Sequence, residues 1–451
     1  MRRLFHSSWI LLVALVLACA GAVGWLGYSE AGLQWMAAKA SRRLGPVELE
    51  IEGARGTLYA GLHVDRVVVR HRRVIVTVEG LDGRAALLPL LWQTIDVERA
   101  SIRRAVVRVL PQEQPTTPWR PHFLPGLLNI EARHVEIGHA EVYAPSGVGI
   151  DGDDIRGVAT IGSREIRIYQ GSVHRGIASA TAHGSVLATE AIGLVGDARL
   201  QVQPASGPAW LWNTRFEGDL DHLATTGEQL SPYEATYSGA FTGLRAQWAW
   251  QGEAQLKRLL LSAWGTGDAL GAIHGRLQLA ADRAGFSARG EVEPPGLGSG
   301  PLDVDLHGRY HDRTIELQPL VLVRRASATR VTATGSVLFG EGRPRVRLAG
   351  DWERLQWPFA DAQPFVRSER GRYTLEGDRP WALSTQADLQ SGPLHGALRA
   401  RGSLASDGIR CDEALLAAWG GEFRLAGSAA WHPEASWQLH GTAREVQLGA
   451  R

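Results

Sequence analysis

Apolar and polar residues alternate along most of the chain after residue 47. In Leu62-His-Val-Asp-Arg-Val-Val-Val-Arg70 the apolar positions fall at Leu62 and Val64, then at Val67 and Val69. Val74, Val76 and Val78 share one face, opposite Arg73, Thr77 and Glu79. Ile166 and Ile168 alternate with Glu165 and Arg167, and Val304 and Leu306 with Asp303 and Asp305. Val346 and Leu348 alternate with Arg345 and Arg347, and Trp437 and Leu439 with Ser436 and Gln438. A period of two gives a strand one apolar and one polar face, so the body is predicted to be mainly β. Gly80-Leu-Asp-Gly83, Gly340-Glu-Gly342 and Gly420-Gly421 interrupt the pattern and read as turns. Asp151-Gly-Asp-Asp154 reads as a solvated turn, and a short helix is expected around Pro208 to Asn213.

The N-terminus follows another pattern. Arg2 and Arg3 precede a stretch from Leu4 to Ser29 without Asp, Glu, Lys or Arg. As a helix its apolar core from Trp9 to Leu26 reaches about 27 Å, close to the hydrocarbon thickness of a bilayer. Trp9, Leu12, Leu15, Leu17, Trp25 and Leu26 are the candidate anchor residues, with Trp9 and Trp25 at opposite ends. The arginine pair predicts a cytoplasmic N-terminus and a body on the far side. An uncleaved anchor competes with a signal-peptidase site at Ala18-Cys-Ala20 and a lipobox-like Val16-Leu-Ala-Cys19. A helix then follows, capped by Ser29, with Leu33, Met36, Ala37, Ala40 and Leu44 on one face and Gly45-Pro46 as its stop.

Internal repetition organises the rest. Gly275 to Gly290, Gly335 to Gly350 and Gly427 to Gly441 each read as strand, turn and strand ending in glycine, and a weaker copy begins at Gly184-Ser185. Units that each lean on their neighbours build a quasi-one-dimensional sheet. The organisation expected is a signal anchor (1–28), a short amphipathic helix (29–46), an N-terminal β segment (47–110), a Pro-rich loop (111–125) and a repetitive β body (126–451). Nothing in the sequence supplies helices to cover an apolar sheet face. Such a sheet either closes on a dry core or curls so that its apolar face lines a groove. In the second case Val76, Ile168, Val304, Leu306, Val346, Leu348, Trp437 and Leu439 line it, and acyl chains suit it.

Composition narrows the function. The net charge is +1 and nearly all the cations are arginine, so no global field draws nucleic acid. Cys19 and Cys411 are the only cysteines, and no disulfide is expected between them. No phosphate-binding loop, zinc-protease motif, paired-cysteine motif or nucleophile elbow occurs. Gly265 to Gly271 lacks the spacing of a nucleotide loop. Asp151 to Asp154 lacks the remaining positions of an EF-hand loop. No catalytic residue, metal ligand or cofactor is therefore assigned, and the chain reads as a non-enzyme.

The anchor, the Ser29-Glu-Ala-Gly-Leu33 helix start, and Gly53-Ala-Arg-Gly56 leading to Gly61-Leu-His-Val64 form a set. Leu87-Leu-Pro-Leu-Leu-Trp92 before Ile95-Asp-Val-Glu-Arg99 and the Gly-Ser repeats complete it. In this set the chain resembles the N-terminal part of the TamB family, within the AsmA-like bridge proteins of Gram-negative envelopes. The resemblance implies a β-taco: an elongated, curled sheet with a hydrophobic groove, held by a single-pass helix in the inner membrane with its body in the periplasm. It implies phospholipid transport between inner and outer membranes. As an alternative it implies a scaffold that assists outer-membrane β-barrel or autotransporter assembly with TamA. The family meets TamA through a C-terminal region that has no counterpart among these residues.

Overall fold

The computed structural model describes residues 25 and 27–446, excluding 41–42, 45–46, 58, 72–73, 87–88, 90–91, 111–122, 125–128, 144–148, 205–207, 246, 261–270, 299, 312, 339–344, 360–362, 393, 406 and 431–435. The chain forms two units, residues 1–203 with 213–220, and residues 204–212 with 221–451. Each is an open, curled β-sheet.

The first unit begins with helix α1 (Glu30–Ala40). The Ser29 hydroxyl accepts from the Gly32 amide at 3.0 Å, which satisfies one of the free donors of the first turn. Glu30 lies at the positive end of the helix dipole and Lys39 at the negative end. Leu33 is buried and Met36 and Ala37 are half-buried, as the spacing requires. The helix stops at Ala40, earlier than Gly45-Pro46 suggests. Arg43–Leu44 already pair with Glu48 and Val47, so sheet pairing overrides the remaining helical turn.

Eleven strands follow: β1 (Arg43–Leu44), β2 (Val47–Glu52), β3 (Arg55–Thr57), β4 (Gly61–His71), β5 (Val74–Ala86), β6 (Thr94–Val109), β7 (Asn129–Tyr143), β8 (Gly149–Ile161), β9 (Glu165–Arg175), β10 (Ala178–Leu187) and β11 (Gly193–Val202). Both β2 and β3 pair with β4, and from β4 to β11 each strand pairs with its successor. All are antiparallel except β6 and β7, which run parallel. A parallel pair needs a crossover, and residues 110–128, which include the Pro-rich stretch, make it.

The boundary between the units falls within β12 (Trp210–Asp219). The helix expected around Pro208 to Asn213 is thus replaced by a strand. Alternating aromatic residues, Trp210 and Trp212, favour a pleated surface over a single helical turn. The second unit contains β13 (His222–Ser231), β14 (Glu234–Thr242), β15 (Ala249–Leu259), β16 (Ile273–Asp282), β17 (Phe286–Glu293), β18 (Leu302–His311), β19 (Thr314–Arg324) and β20 (Thr329–Leu338). It continues with β21 (Arg345–Trp357), β22 (Val366–Gly377), β23 (Trp381–Ser391), β24 (Leu394–Leu404), β25 (Gly408–Ala418), β26 (Gly421–Ala430) and β27 (Ser436–Arg444). Every successive pair is antiparallel. The glycine-bounded repeats are the hairpins β16–β17, β20–β21 and β26–β27. The expected turn at Gly420-Gly421 is a two-residue hairpin: Trp419 and Gly420 both have positive φ, and Ala418 pairs with Gly421.

Two other expected turns lie inside strands. Gly80 to Gly83 belongs to β5 and Asp151 to Asp154 to β8. The reason is an irregularity that crosses five strands at one level. Asp65, Gly80, Arg103, Gly138 and Asp154 all drop out of the pairing register. Gly80 and Asp154 take left-handed φ of 63° and 48°. On one side of this level the apolar ladder runs through Val64, Leu81, Ile102, Ile137 and Ile155. On the other it runs through Val67, Val78, Ala105, Ala140 and Gly152. The apolar pattern changes phase by one residue there, while the flanking pairs, such as Val64 with Leu81 and Arg66 with Glu79, keep one register.

Most of the expected transmembrane helix lies outside the described residues, including Trp9, Leu12, Leu15, Leu17 and Leu26. Among the described residues no helix is long and apolar enough to cross a membrane.

Candidate apolar trough

Residues directly opposite one another on neighbouring strands share a face. In the second unit the register therefore threads side chains into rows. One row passes through Tyr237, Ala254, Leu277, Gly290, Val304 and Leu322. It continues through Val331, Trp352, Gly371, Ala387, Leu398, Leu416 and Phe423. A neighbouring row passes through Leu223, Phe241, Trp250, Ala281, Phe286 and Gly308. It continues through Leu317, Gly335, Leu348, Leu375, Leu383, Gly402, Cys411, Gly427 and Leu439. Neither row contains a charged residue. Leu306 lies in a third row, opposite Ala288 and Leu320.

These rows occupy the inner face. Along β21, Val346, Leu348, Gly350 and Trp352 are buried or half-buried, while Arg345, Arg347, Ala349 and Asp351 are exposed. Along β16 the same holds for Ile273, Gly275 and Leu277 against His274, Arg276 and Gln278. The outer face carries ion pairs instead, such as Arg289 with Asp305 at 3.1 Å and Arg325 with Asp303 at 2.6 Å. These are exposed pairs and contribute little stability. An outer depression of about 620 Å³ is lined by charges of both signs, including Arg276, Arg289, Glu291 and Asp303.

The inner face is lined but not sealed. Its buried members include many small residues, such as Ala254, Ala288, Ala333, Ala387 and Ala414. Among the described residues no large side chain is less than 2% exposed. A dry, close-packed core in a chain of this size contains many such side chains. The larger residues of the rows keep part of their surface open.

Glycines shape the trough floor. An added Cβ at Gly371 would collide with the indole of Trp352, at Gly308 with the ring of Phe286, and at Gly239 with the indole of Trp250. The aromatic rings thus lie flat over the bare backbone of the next strand. Their polar ends are satisfied where they land. Trp250 Nε1 donates to Thr225 Oγ1 at 3.0 Å, and Tyr373 Oη donates to the Thr332 carbonyl at 3.0 Å. Burial raises the Tyr373 phenol above its ordinary pKa, as it does for Tyr233. Cys411 sits between Gly402 and Gly427, and burial pushes its thiol up, aided by Asp412.

The first unit repeats the arrangement. Val76 lies opposite Val69 and Val107, in a row that runs from Leu49 to Val142 and Ile150. Ile168 lies opposite Ala159 and Gly184. Val304, Leu306, Val346 and Leu348 are brought onto one inner face of the second unit, with Val346 only 7% exposed. Trp437 and Leu439 share that face through their pairing with Ala429 and Gly427, yet they are 80% and 55% exposed. They lie on β27, all of whose residues are exposed. Sequence reading missed the tryptophan–glycine bridges. Their signal is Gly371 opposite Trp352, visible only once register is known.

The outer face of the first unit holds two histidines between carboxylates. His63 Nδ1 is 2.7 Å from Asp82 and its Nε2 is 3.1 Å from Asp65. His139 Nδ1 is 2.7 Å from Asp153 and its Nε2 is 3.1 Å from Glu141. Hydrogen bonds to Asp82 and then Asp65 raise the pKa of His63, and the bond to Asp153 raises that of His139. Among the described residues no group of three or more His, Cys, Asp or Glu is placed to hold a metal ion. The described residues therefore offer an apolar, ladder-lined trough in each unit. No family model, curated protein or solved structure matches this chain.

Proposed function

We propose that this chain is a non-enzymatic, membrane-anchored envelope protein that carries phospholipid acyl chains along the apolar troughs of its sheets. The uncharged row through Val304, Trp352, Leu398 and Phe423 is the observation that carries this reading. An acyl chain is long, thin and uncharged, and a row that continues from strand to strand can receive it at any register. Each methylene removed from water contributes about 0.8 kcal/mol. Rows without charge leave nothing to desolvate on the protein side. The absence of sealed burial supports the same reading, since the lining keeps surface available for a guest. The anchor at residues 4–29, the inner-membrane location and the direction toward an outer membrane rest on the N-terminal sequence and the family resemblance.

Mass spectrometry of lipid held by the purified chain tests the proposal, with a photo-crosslinking residue at Leu348 to capture it. The expected result is a phospholipid adduct at position 348 and, separately, loss of the co-purified lipid in a Leu348→Asp variant of unchanged circular dichroism. A folded Leu348→Asp protein that retains as much lipid as the parent refutes the conduit. Capture of a β-barrel client in place of lipid favours the assembly scaffold.

A further inference from the structure

Aromatic side chains gather at one rim of the first unit. Tyr28, just before α1, packs at a tilt against Tyr59 with ring centroids 4.6 Å apart, and the Tyr59 amide donates to the Gly27 carbonyl at 3.3 Å. Trp25 lies 6.2 Å from Trp35 of α1. Tyr59 occupies the turn between β3 and β4. Leu62 pairs with Gly83 and Ala86 pairs with Asp96, so that turn and the β5–β6 connection lie at the same strand ends. Trp92 belongs to that connection, whose sequence from Ala86 to Thr94 carries no charge.

None of these rings is a core residue. Trp25 is 47% exposed, Tyr28 60%, Trp35 49%, Tyr59 44% and Trp92 72%. Turns in a soluble domain are normally polar, and exposed aromatics normally occur singly. Among the described residues the opposite rim exposes aliphatic side chains instead, among them Val142, Ile150 and Ile177, and Arg72-Arg73 stand in sequence between β4 and β5. Cations flank the aromatic group. The Lys39 ammonium sits 5.8 Å from the centre of the Trp35 ring. The Arg84 guanidinium sits 5.4 Å from that of Tyr59 and also pairs with Glu98 at 3.1 Å. Rings with an apolar body and a polar tip, beside Lys and Arg, match the headgroup layer of a bilayer and its phosphates. The stretch Leu4 to Ser29, free of Asp, Glu, Lys and Arg, runs directly into this group.

We infer that this rim is a membrane-docking surface: Trp25, Tyr28, Trp35, Tyr59 and Trp92 insert into the headgroup layer of the bilayer that holds the N-terminal segment. The inference rests on the membrane anchoring in the proposed function and not on lipid occupying the trough. Docking sets the strand ends of the first unit against the bilayer, where a lipid can pass from one to the other.

The test uses the full chain with Cys19→Ser and Cys411→Ser, reconstituted into phosphatidylethanolamine–phosphatidylglycerol vesicles. An environment-sensitive fluorophore is attached at Tyr59→Cys, Trp92→Cys or Ile177→Cys, and folding of each protein is checked by circular dichroism. Expected are blue-shifted emission and strong quenching by 5-doxyl phospholipid at positions 59 and 92, and water-like, unquenched emission at 177. Trp92 is so exposed that its replacement leaves packing intact, which keeps the test valid if the Tyr59 variant misfolds. Water-like emission at 59 and 92 in vesicle-bound protein overturns the inference, as does equal quenching at 177. Adding Leu348→Asp separates the two proposals: it removes lipid from the trough and leaves quenching at 59 and 92 unchanged.

Discussion

The indole Nε1 of Trp352 donates to the Ser368 hydroxyl at 2.8 Å, which holds the ring over the bare Cα of Gly371. Ser368 in turn donates to the Arg370 carbonyl at 3.1 Å, so the chain of donors is complete although Ser368 is only 4% exposed. Gly371→Ala forces the ring away and breaks that bond. Overpacking of this kind costs about 1–3 kcal/mol. The expected outcome is a lower urea midpoint with an unchanged slope. A Gly371→Ala, Trp352→Leu pair should recover part of the loss, because the collision then disappears.

The parallel pairing of β6 with β7 is pinned by Arg133, which reaches Asp96 through bonds of 2.9 and 2.6 Å. Asp96 is buried while Arg133 remains largely in water. Asp96→Ala therefore strands no buried cation, and its expected cost is about 1.5 kcal/mol, the lower end for a charged hydrogen bond. Amide exchange should accelerate in Thr94–Val109 and Asn129–Tyr143 before it changes in the second unit. Exchange that accelerates equally in both units contradicts this assignment.

His63 and His139 make the first unit sensitive to pH. Both folded pKa values are raised above 6.5, so both rings bind a proton more tightly folded than unfolded. Their stabilisation is full below the unfolded value and is lost as pH rises through the folded value. Nuclear magnetic resonance titration should find both imidazoles above 6.5. A His63→Gln, His139→Gln variant should flatten the fall in thermal midpoint across that window.

Cys411 is a native reporter of the trough. Burial raises its pKa, so alkylation at neutral pH should run slower than for a free thiol and speed up on unfolding. In a Cys19→Ser protein, lipid removal should accelerate the reaction further if acyl chains lie along the Gly402–Cys411–Gly427 row. A rate that ignores lipid places the guest elsewhere.

Alternation of side chains made the strands legible, and Val346 with Leu348 or Val304 with Leu306 marked the inner face before any pairing was known. The glycine-bounded repeats likewise announced the hairpins. Local patterns failed where their cause was not local. Gly80 carries a left-handed φ at a level where neighbouring strands each miss one pairing, so its turn signal led nowhere. The step from Val64 to Val67 was the visible trace of that change of phase. Trp210 to Trp212 pairs as a strand, and the helix after Ser29 yields its last turn to sheet pairing by Arg43 and Leu44. The parallel step from β6 to β7 has no signature beyond its Pro-rich connection. The trough residues could be named one by one, but their order into rows depends on register, which no single strand contains.

Consecutive pairing has a consequence for how the protein is made. Within each unit almost every strand finds its partner in the segment synthesised shortly before it, and the β6–β7 step waits for a longer crossover. Loops this short close at little entropic cost. A chain emerging from the ribosome can therefore add hairpin after hairpin to a growing edge, without holding long unfolded stretches in reserve. Maturation then proceeds vectorially, at the pace of delivery.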